Sequence, residues 1–488
     1  MTRSFNKKLV FRTLGALLHI EAVFMGITTV VGWLYDEPDV EAFAVSTVLT
    51  AICGVCGLRL GRRASQHTGE REGYLIVALV WFVFSLFGML PFFLSGAVDT
   101  ITDAFFETMA GFTTTGATII ADVESMTHTV LLWRAVAQWL GGLGIIVLCV
   151  AILPMFGLGG MQLYAAEVTG VSYEKISPRI ADTAKLMWGV YLLLTGIETL
   201  LLWMCDMDLF DAVCHSMSTI ATGGFSTKNM SLMGYSAAIQ YIVAVFMFLS
   251  GINFSLFILF LMHKPKRLLQ DEETHWYLGA VGIFTLVMTV GLFITGKVWS
   301  LTGLEEAFRH SFFMVTAAIT STGYATTDYM QWHVVLWVVL FFLMFTGASS
   351  GSTSGGIKWV RLAIIFKNSL AEFKRRIHPN AIIPIKLNGK PVTQQTYNNV
   401  VAFFIIHILV IIITVVCFCA CGIGFDEAIG TTVSAIGNVG ISIGSYGPTG
   451  TYADFPTVAK WIMTFVMLVG RLEIFTVLLL FSPSLWKK

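Results

Sequence analysis

Charged residues are scarce in this chain of 488 amino acids. Lys, Arg, Asp and Glu together make up 12% of the sequence, about half of the roughly 25% that soluble globular proteins carry. Apolar residues make up 56%, and the mean hydropathy is +0.77. The length alone would allow about three soluble domains, but a chain with so little charge and so many apolar runs excludes that organisation.

Sequence signatures of enzymes and nucleotide-binding proteins are also missing. No P-loop, no glycine-rich fingerprint after a strand and no kinase motif occurs. The 10 histidines are scattered without metal-ligand spacing, and the 8 cysteines fit small buried residues better than zinc or redox sites. We therefore predict that the chain is not an enzyme, holds no organic cofactor and does not bind nucleic acid.

What the chain does contain is long apolar runs. Several reach the approximately 20 residues that a helix needs to cross a bilayer. They include residues 75–95, 186–203, 237–262, 400–420 and 461–481. The first apolar run is too long for a signal-peptide core and has no small-residue cleavage site, so we predict that it is retained as a span. The expected class is an all-α, multi-pass membrane protein.

Basic residues cluster in alternate loops, whereas the loops between them are acidic or neutral. The basic clusters are Arg59/Arg62/Arg63, Lys175/Arg179/Lys185, Lys264/Lys266/Arg267 and residues 367–376. Loops rich in Lys and Arg stay on the cytoplasmic side of a membrane. We therefore predict that these loops and both chain termini are cytoplasmic.

A short segment centred on glycine occurs four times between apolar runs. The segments are Thr114-Thr115-Gly116, Thr222-Gly223-Gly224, Ser321-Thr322-Gly323 and Asn438-Val439-Gly440. Such backbone cannot face lipid, because its N–H and C=O groups would be unsatisfied there. Four loops around one axis can form a cation filter from carbonyl oxygens. The fourth segment lacks the hydroxyl residue of the others, and the adjacent glycines of the second leave open which one holds the filter position.

The spacing of these segments indicates a repeat. Successive third-position glycines are 108, 99 and 117 residues apart, and an acidic residue precedes them by 13, 13, 17 and 13 residues. The acids are Asp103, Asp211, Glu306 and Glu427. An acid favours the first turn of a helix because of the helix dipole. We therefore predict four pore helices that direct their negative ends at the filter, the third about one turn longer, with acids that draw cations to the mouth.

Each repeat unit is then a span, a pore helix, a filter loop and a second span. Two further spans near residues 11–35 and 41–60 bring the predicted total to ten full spans around a pseudo-fourfold pore. The predicted boundaries are residues 1–72 for the N-terminal two-span extension and 73–181, 182–270, 271–390 and 391–488 for pore repeats one to four.

A run rich in Gly, Ser and Thr at residues 346–358 interrupts the span after the third filter. Irregular backbone at that depth has to line protein or water. We predict that this 346–358 segment forms a gate under the filter, with a passive break in the helix as the alternative. The candidate gate residues are Gly347, Ser350, Gly351, Gly355 and Gly356.

Arg471 lies about halfway along the last apolar run. A charge there costs about 3 kcal/mol on insertion scales, so the side chain should face a cavity or a partner. Glu473 is on a different face of the helix and does not simply neutralise it. We predict that Arg471 faces the pore and controls cation flow. A salt bridge or a contact with carbonyl groups elsewhere is the alternative.

Taken together, these motifs resemble the Trk/Ktr/HKT superfamily of potassium transporters. The resemblance lies in the four filters, the 346–358 segment, the string Met-Leu-Val-Gly-Arg-Leu-Glu at 467–473 and the string Gln-Trp-Leu-Gly-Gly at 138–142. The two additional N-terminal spans are similar to the TrkH/TrkG branch rather than to the shorter KtrB branch. The resemblance covers essentially the whole chain.

The resemblance implies channel-like K⁺ uptake across the bacterial inner membrane, with the four third-position glycines in the filter and with the 346–358 segment and Arg471 as the gate. It also implies a homodimer with one pore per subunit and a cytosolic TrkA-type ring that binds NAD(H) and ATP or ADP. A symporter in which H⁺ or Na⁺ drives K⁺ is the alternative. Symporters often use inverted repeats, whereas the four units here share one orientation.

Overall fold

The apolar character of the chain appears in the computed structural model as an almost entirely helical protein. The structure describes residues 5–62, 64, 70–144, 180–263, 265–296, 300–381 and 383–486.

The N-terminal extension and the first two units contain ten helices in their described parts. The extension contains α1 (Lys7–Leu34), α2 (Val40–Leu60) and the start of α3 (Glu70–Leu94). The first unit continues with α4 (Ile101–Phe112) and α5 (His128–Gly142). The second contains α6 (Ile180–Met204), α7 (Leu209–Ile220), α8 (Ala237–Ser250), α9 (Phe254–Leu261) and α10 (Pro265–Gln270).

The third and fourth units follow the same order. The third contains α11 (Glu272–Thr295), α12 (Leu301–Ile319), α13 (Val334–Met344), α14 (Trp359–Ile377) and the strand β1 (Lys386–Leu387), which pairs antiparallel with β2 (Lys390–Pro391). The fourth contains α15 (Gln394–Ala420), α16 (Phe425–Gly437), α17 (Thr457–Arg471), α18 (Phe475–Leu478) and α19 (Pro483–Trp486). Single 3₁₀ turns cover Tyr329–Gln331, Gly444–Tyr446 and Leu479–Phe481.

Six described helices are long and apolar enough to cross a membrane, namely α1, α2, α3, α6, α11 and α15. Two further spans are bent pairs: α8 with α9 at 95°, and α17 with residues 475–481 at 111°. The described residues therefore contain six spans, or eight with the bent pairs, where the sequence predicts ten. The other two predicted spans begin at α5 and α13, which are only 15 and 11 residues long. The prediction of an all-α, multi-pass membrane protein is confirmed.

Residues 237–262 do not form the continuous span that the sequence predicts. Helix α8 ends at Ser250, and Asn253 begins α9 by accepting a hydrogen bond from the amide of Ser255 (2.8 Å). An asparagine side chain satisfies the free N–H groups at a helix start. The polar residue inside this apolar run therefore marks a helix break.

Residues 461–481 are also interrupted, so Arg471 does not lie halfway along a continuous helix. Helix α17 ends at Arg471, and the next helix begins at Phe475. Between them, Glu473 and Ile474 have φ angles of 53° and 51°. Residues other than glycine rarely adopt this left-handed conformation and do not continue a right-handed helix through it. The last span is therefore bent at the arginine.

The N-terminal extension shows how the helices meet lipid and each other. Val23, Ile27 and Val30 of α1 are 60%, 51% and 55% exposed, and their spacing places them on one face of the helix. Such an apolar face suits lipid contact. On another face, a Cβ on Gly15 would lie 2.7 Å from the carbonyl oxygen of Gly54 in α2. Small residues permit this close approach of membrane helices.

The four pore helices α4, α7, α12 and α16 contain 12, 12, 19 and 13 residues. Thr100, Asp208 and Ser300 cap three of them by accepting an N–H bond from the first turn. The third is longer, as predicted, but by six or seven residues (19 against 13 or 12) rather than four. Its additional residues lie at the start, so Glu306 is the sixth residue of α12 and not in its first turn.

Candidate functional site

Each pore helix ends in the same backbone motif. The first residue of each glycine segment has a positive φ, and the values are 54° for Thr114, 53° for Thr222, 54° for Ser321 and 54° for Asn438. Its N–H bonds to the carbonyl three residues earlier, and the next N–H bonds to the carbonyl five residues earlier. This pattern is the Schellman cap of a helix C-terminus. Because Thr or Ser and not glycine occupies the left-handed position in the first three caps, each of these stores about 1–2 kcal/mol of strain, whereas asparagine is tolerated there in the fourth.

The third residue of each segment is a glycine with positive φ. The values are 75° for Gly116, 77° for Gly224, 77° for Gly323 and 89° for Gly440. The φ angle distinguishes the two adjacent glycines of the second segment, between which the sequence alone does not decide. Gly224 takes the position of Gly116, whereas Gly223 is equivalent to Thr115 in the middle of the first segment.

The four segments form a closed ring. A methyl group built on each third-position glycine would overlap the carbonyl oxygen of the middle residue in the next segment. The pairs are Gly116 with Gly223, Gly224 with Thr322, Gly323 with Val439, and Gly440 with Thr115. The fourth segment thus returns to the first. The positive φ and the close contact both require glycine here.

The ring is electrostatically suited to a cation although it has no formal charge. Its twelve residues, the four three-residue segments, are all uncharged. The C-terminal ends of four helices meet there, and each carries about half a negative charge from its unpaired carbonyl groups. The hydroxyl groups of Thr113 and Thr115 lie 2.8 Å apart, and those of Thr320 and Thr322 are equally close. Backbone and hydroxyl oxygens therefore concentrate at the ring.

The 346–358 segment lies directly against the ring. The amide of Gly355 donates to Oγ of Ser321 (2.7 Å), and Oγ1 of Thr353 donates to the carbonyl of Ile220 (3.1 Å). A methyl group on Gly355 would overlap the carbonyl oxygen of Gly437. The segment therefore touches the third glycine segment and the C-terminal ends of the second and fourth pore helices.

The other predicted gate residues shape and anchor this segment. A Cβ on Gly347 would lie 3.0 Å from the carbonyl carbon of Gly356, which has a φ of 68°. The amide of Ser350 donates to the Glu273 carboxylate in α11 (2.5 Å). The carbonyl of Gly351 accepts from the first amide of α9 (3.1 Å). The segment is thus a compact turn fastened to two neighbouring helices.

Arg471 connects this segment to the first unit. Its Nη1 donates to the carbonyl of Thr353 (2.7 Å). Its Nη2 donates to the carbonyls of Gly141 (2.5 Å) and Gly142 (2.6 Å) at the end of α5. The predicted alternative, a contact with carbonyl groups, is therefore present, and the carbonyls belong to the 346–358 segment beside the ring and to the end of α5.

Glu473 has a different partner from Arg471, although it follows the end of α17 and does not lie on another face of that helix. Its carboxylate forms an ion pair with Arg361 of α14, whose guanidinium carbon lies 4.0 Å from the ring centroid of Phe403. Lys358 of the same region donates to Oγ of Ser354 (3.0 Å). On the side of the ring where the helices are interrupted, Arg471, Arg361 and Lys358 therefore all form hydrogen bonds or ion pairs.

Comparison with known proteins identifies this architecture. The sequence profile of the TrkH family, described as a cation transport protein, matches residues 41–488. The chain belongs to the TrkH family. The Trk system potassium uptake protein TrkH of Halomonas elongata is 38% identical over 488 residues, which is 99% of either chain. Escherichia coli TrkG is 33% identical over 488 residues, 98% of this chain and 99% of that one.

A solved TrkH structure has the same fold. The crystal structure of the potassium transporter TrkH from Vibrio parahaemolyticus matches with a TM-score of 0.89 and 34% identity, over 99% of this chain and 100% of that chain. The expected membership of the Trk superfamily and the expected fold class are confirmed. The chain is a member of a potassium uptake transporter family and not an enzyme.

In this member of the TrkH family, the predicted mouth acids do not present four free charges. Asp103 is paired with Nζ of Lys460 at 2.6 Å, and Asp211 with Nζ of Lys228 at 3.2 Å. Glu306, displaced from the first turn of its helix, has a side chain that is 63% exposed. Any attraction of cations by these carboxylates is therefore uneven around the ring.

Two buried polar residues of α5 join the first two glycine segments and their pore helices. Nε of Arg134 donates to Glu107 in the first pore helix (2.8 Å), and Nη1 donates to the carbonyl of Ser226 after the second loop (3.0 Å). Nε2 of Gln138 donates to the carbonyl of Gly223 (2.7 Å). The signal available in the sequence was the charge itself, because an arginine inside a span requires a partner.

A polar contact outside the membrane-spanning segments connects the same two units. The side-chain amide of Asn229 donates to Asp122 (2.8 Å), and its oxygen accepts from the amide of Val123 (2.7 Å). The hydrogen bond from Asn229 holds the pKa of Asp122 below its usual range. The first and second units are therefore joined by polar contacts both at the ring and beyond it.

Proposed function

We propose that this chain mediates channel-like uptake of K⁺ and that the ring is its selectivity filter. The observation that carries the proposal is the closed arrangement of four loops, each glycine lying against a carbonyl of the next loop. A ring of carbonyl oxygens can replace the hydration shell of a potassium ion. The ring carries no formal charge, so an ion is not held by a carboxylate and can leave again.

The membrane potential is sufficient to drive this uptake. Moving one positive charge inward gains about 2.3 kcal/mol per 100 mV. Accumulation of K⁺ therefore requires no ATP-hydrolysing site on this chain. The names of the relatives, which are potassium uptake proteins, support K⁺ as the transported ion.

We propose that the 346–358 segment is the gate and that Arg471 holds it closed. The supporting contacts are those of Gly355 with Ser321 and of Arg471 with Thr353. An arginine that donates to carbonyls of the segment and of α5 restrains a segment rich in Gly, Ser and Thr. Opening then requires these hydrogen bonds to break.

We further propose a bacterial inner-membrane location with both termini in the cytoplasm, a homodimer with one pore per subunit, and regulation by a cytosolic TrkA-type ring that binds NAD(H) and ATP or ADP. The alternating basic loops support the orientation. The regulatory ring would supply the nucleotide site, since no nucleotide-binding motif occurs in this sequence.

A symporter driven by H⁺ is a second candidate, favoured by one observation. Glu21 of α1 is completely buried, and its carboxylate has no hydrogen-bond partner among the described residues. A Cβ on Gly88 of α3 would lie 3.1 Å from its Oε1. Acidic residues inside the membrane often mark proton pathways.

Uptake of ⁸⁶Rb⁺ into proteoliposomes tests both candidates. We expect uptake that K⁺ inhibits much better than Na⁺ or NH₄⁺, and K⁺ current that persists with no H⁺ or Na⁺ gradient. Equal inhibition by the three cations would overturn the filter. Loss of the current at zero gradient would overturn the channel, and loss of H⁺-driven uptake in Glu21→Gln would assign the coupling to that carboxyl group.

A further inference from the structure

The four helices that follow the filter loops carry different residues at one equivalent position. These helices are α5, α8, α13 and α17, and the position is the eleventh residue of each. The residues are Gln138, Met247, Met344 and Met467, and all are buried. Three units therefore place a flexible apolar side chain here, and the first places an amide.

The seventh residue of the same helices repeats this division. The residues are Arg134, Val243, Leu340 and Met463, again all buried. Burying a polar group without a hydrogen bond is costly, so a polar pair in the first unit alone requires matching partners. At these two helix positions, the corner between the first and second loops therefore has hydrogen-bonding side chains where the other corners have apolar ones.

Gln138 binds the second filter loop on both sides of Gly223. Its Nε2 donates to the carbonyl of Gly223 (2.7 Å), and its Oε1 accepts from Oγ of Ser218 (2.6 Å) and from the amide of Phe225 (3.0 Å). Among the middle residues of the four segments, Gly223 is the one whose carbonyl accepts a hydrogen bond from a described side chain. The glutamine thus fixes an oxygen of the ring itself.

Gly223 is required by this glutamine and not by its backbone conformation. It is absent from the glycines with positive φ, in contrast to Gly224. A Cβ on Gly223 would lie 2.5 Å from Oε1 and 2.8 Å from Nε2 of Gln138. The equivalent residues Thr115 and Thr322 have side chains in this position. The doubled glycine of the second segment therefore makes room for the amide.

We propose that Gln138 is a positioning residue that determines ion specificity, and that it acts as a matched pair with Gly223. The proposal rests on the proposed filter function. Selectivity depends on the number and field strength of the carbonyl groups around the ion. A carbonyl that already accepts a hydrogen bond attracts a cation less strongly and moves less. The Gly223 carbonyl therefore keeps a fixed position relative to the carbonyls of the other three middle residues.

The test compares Gln138→Met with the double variant Gln138→Met/Gly223→Thr in proteoliposomes. The single change should lower the K⁺/Na⁺ permeability ratio, measured from reversal potentials, by about tenfold, the equivalent of one hydrogen bond. The double variant copies the Met and Thr found at equivalent positions in other units, and it should recover most of the lost selectivity.

Two further variants separate the possible causes. Gln240→Met also removes a buried glutamine that donates to backbone carbonyls, those of Leu232 and Tyr235, but outside the ring. It should lower thermal stability without changing the permeability ratio. Gly323→Ser reports on the filter itself and should change the ratio whatever Gln138 does.

Each outcome decides a separate point. An unchanged ratio in Gln138→Met, with a changed ratio in Gly323→Ser, would overturn the role of Gln138 and leave the filter standing. An unchanged ratio in both would overturn the filter. If Gln138→Met fails to fold, the double variant decides: normal selectivity supports the pair, and failure to fold or to select contradicts it.

Discussion

The proposed filter ring and the helix breaks beside it differ in how closely the four units agree. In the ring, φ lies between 53° and 54° at the first position and between 75° and 89° at the third. At the breaks, α8 and α9 are separated by residues 251–253, whereas α13 and α14 are separated by residues 345–358. Coordinating an ion requires similar geometry from every unit, but restraining a gate requires only one strong contact.

The largest effect is expected from breaking the agreement within the ring. Gly323→Ser forces a Cβ against the carbonyl of Val439 and a side chain into a positive φ of 77°. The two costs together are about 2–5 kcal/mol. We expect K⁺/Na⁺ discrimination to fall by at least about tenfold in competition assays with ⁸⁶Rb⁺.

The matched control is Gly279→Ser in α11. A Cβ at Gly279 would meet nothing within 4 Å, so transport and selectivity should stay close to those of the unmodified chain. Retained selectivity in Gly323→Ser would show that the ring is not the filter.

The second-largest effect is expected at the helix breaks, from substitution of Arg471. Removing hydrogen bonds from a charged donor costs about 1.5–3 kcal/mol, so Arg471→Ala should raise cation flux roughly tenfold by releasing the 346–358 segment. Arg471→Lys keeps the charge but loses the planar fork that reaches several carbonyls, and we expect it to raise flux less.

Single-channel or liposome flux measurements check this prediction. Unchanged or lower flux in a folded Arg471→Ala variant would contradict a restraining arginine. Flux in Arg471→Lys equal to that of the unmodified chain would assign control to charge repulsion and not to the carbonyl contacts.

A smaller effect is expected where the ion pairs at the pore-helix starts differ. Lys460, whose side chain is 8% exposed, pairs with Asp103, whereas Lys228 is 43% exposed and pairs with Asp211. Removing one partner of a buried pair costs about 3–5 kcal/mol, and an exposed pair contributes about 0–1 kcal/mol. Lys460→Met should therefore lower the melting temperature in detergent more than Lys228→Met. Equal decreases in melting temperature would show that the two ion pairs contribute equally to stability.

The smallest effect should come from Glu306, whose side chain is 63% exposed. Charges that face solvent are screened at physiological salt, and this one lies outside the first turn of α12. Glu306→Gln should change K⁺ uptake at low K⁺ by less than about twofold. If Glu306→Gln reduced K⁺ uptake more than Asp211→Asn does, Glu306 would be a functional counterpart of the other acids.

The fourfold plan was predictable because its signals are local. A glycine that follows an acidic residue at a repeated distance marks a pore helix and its cap, and the structure contains a helix before each segment. The displacement of Glu306 was not predictable in the same way. The start of α12 is marked by a capping bond that the amide of Gly303 donates to Oγ of Ser300.

The break side was less predictable because its contacts are distant in sequence. Arg471 bonds to carbonyls 118 and 330 residues away, and no local pattern encodes such partners. The bend after α8 has a local signal, Gly251 and Asn253, but two such residues in an apolar run are also compatible with a straight helix. The pairing of Gln138 with Gly223 required the geometry of both units.

Closure of the ring between its first and last loops has a consequence for biosynthesis. Gly440 lies against Thr115, and Nδ2 of Asn438 donates to Oγ1 of Thr115 (2.9 Å), 323 residues earlier in the chain. At about 5–20 residues per second, the ribosome needs roughly 15–65 s to make the chain between them. The first segment is therefore in the membrane before the fourth segment, its neighbour in the ring, has been synthesised. The ring can close only as translation ends.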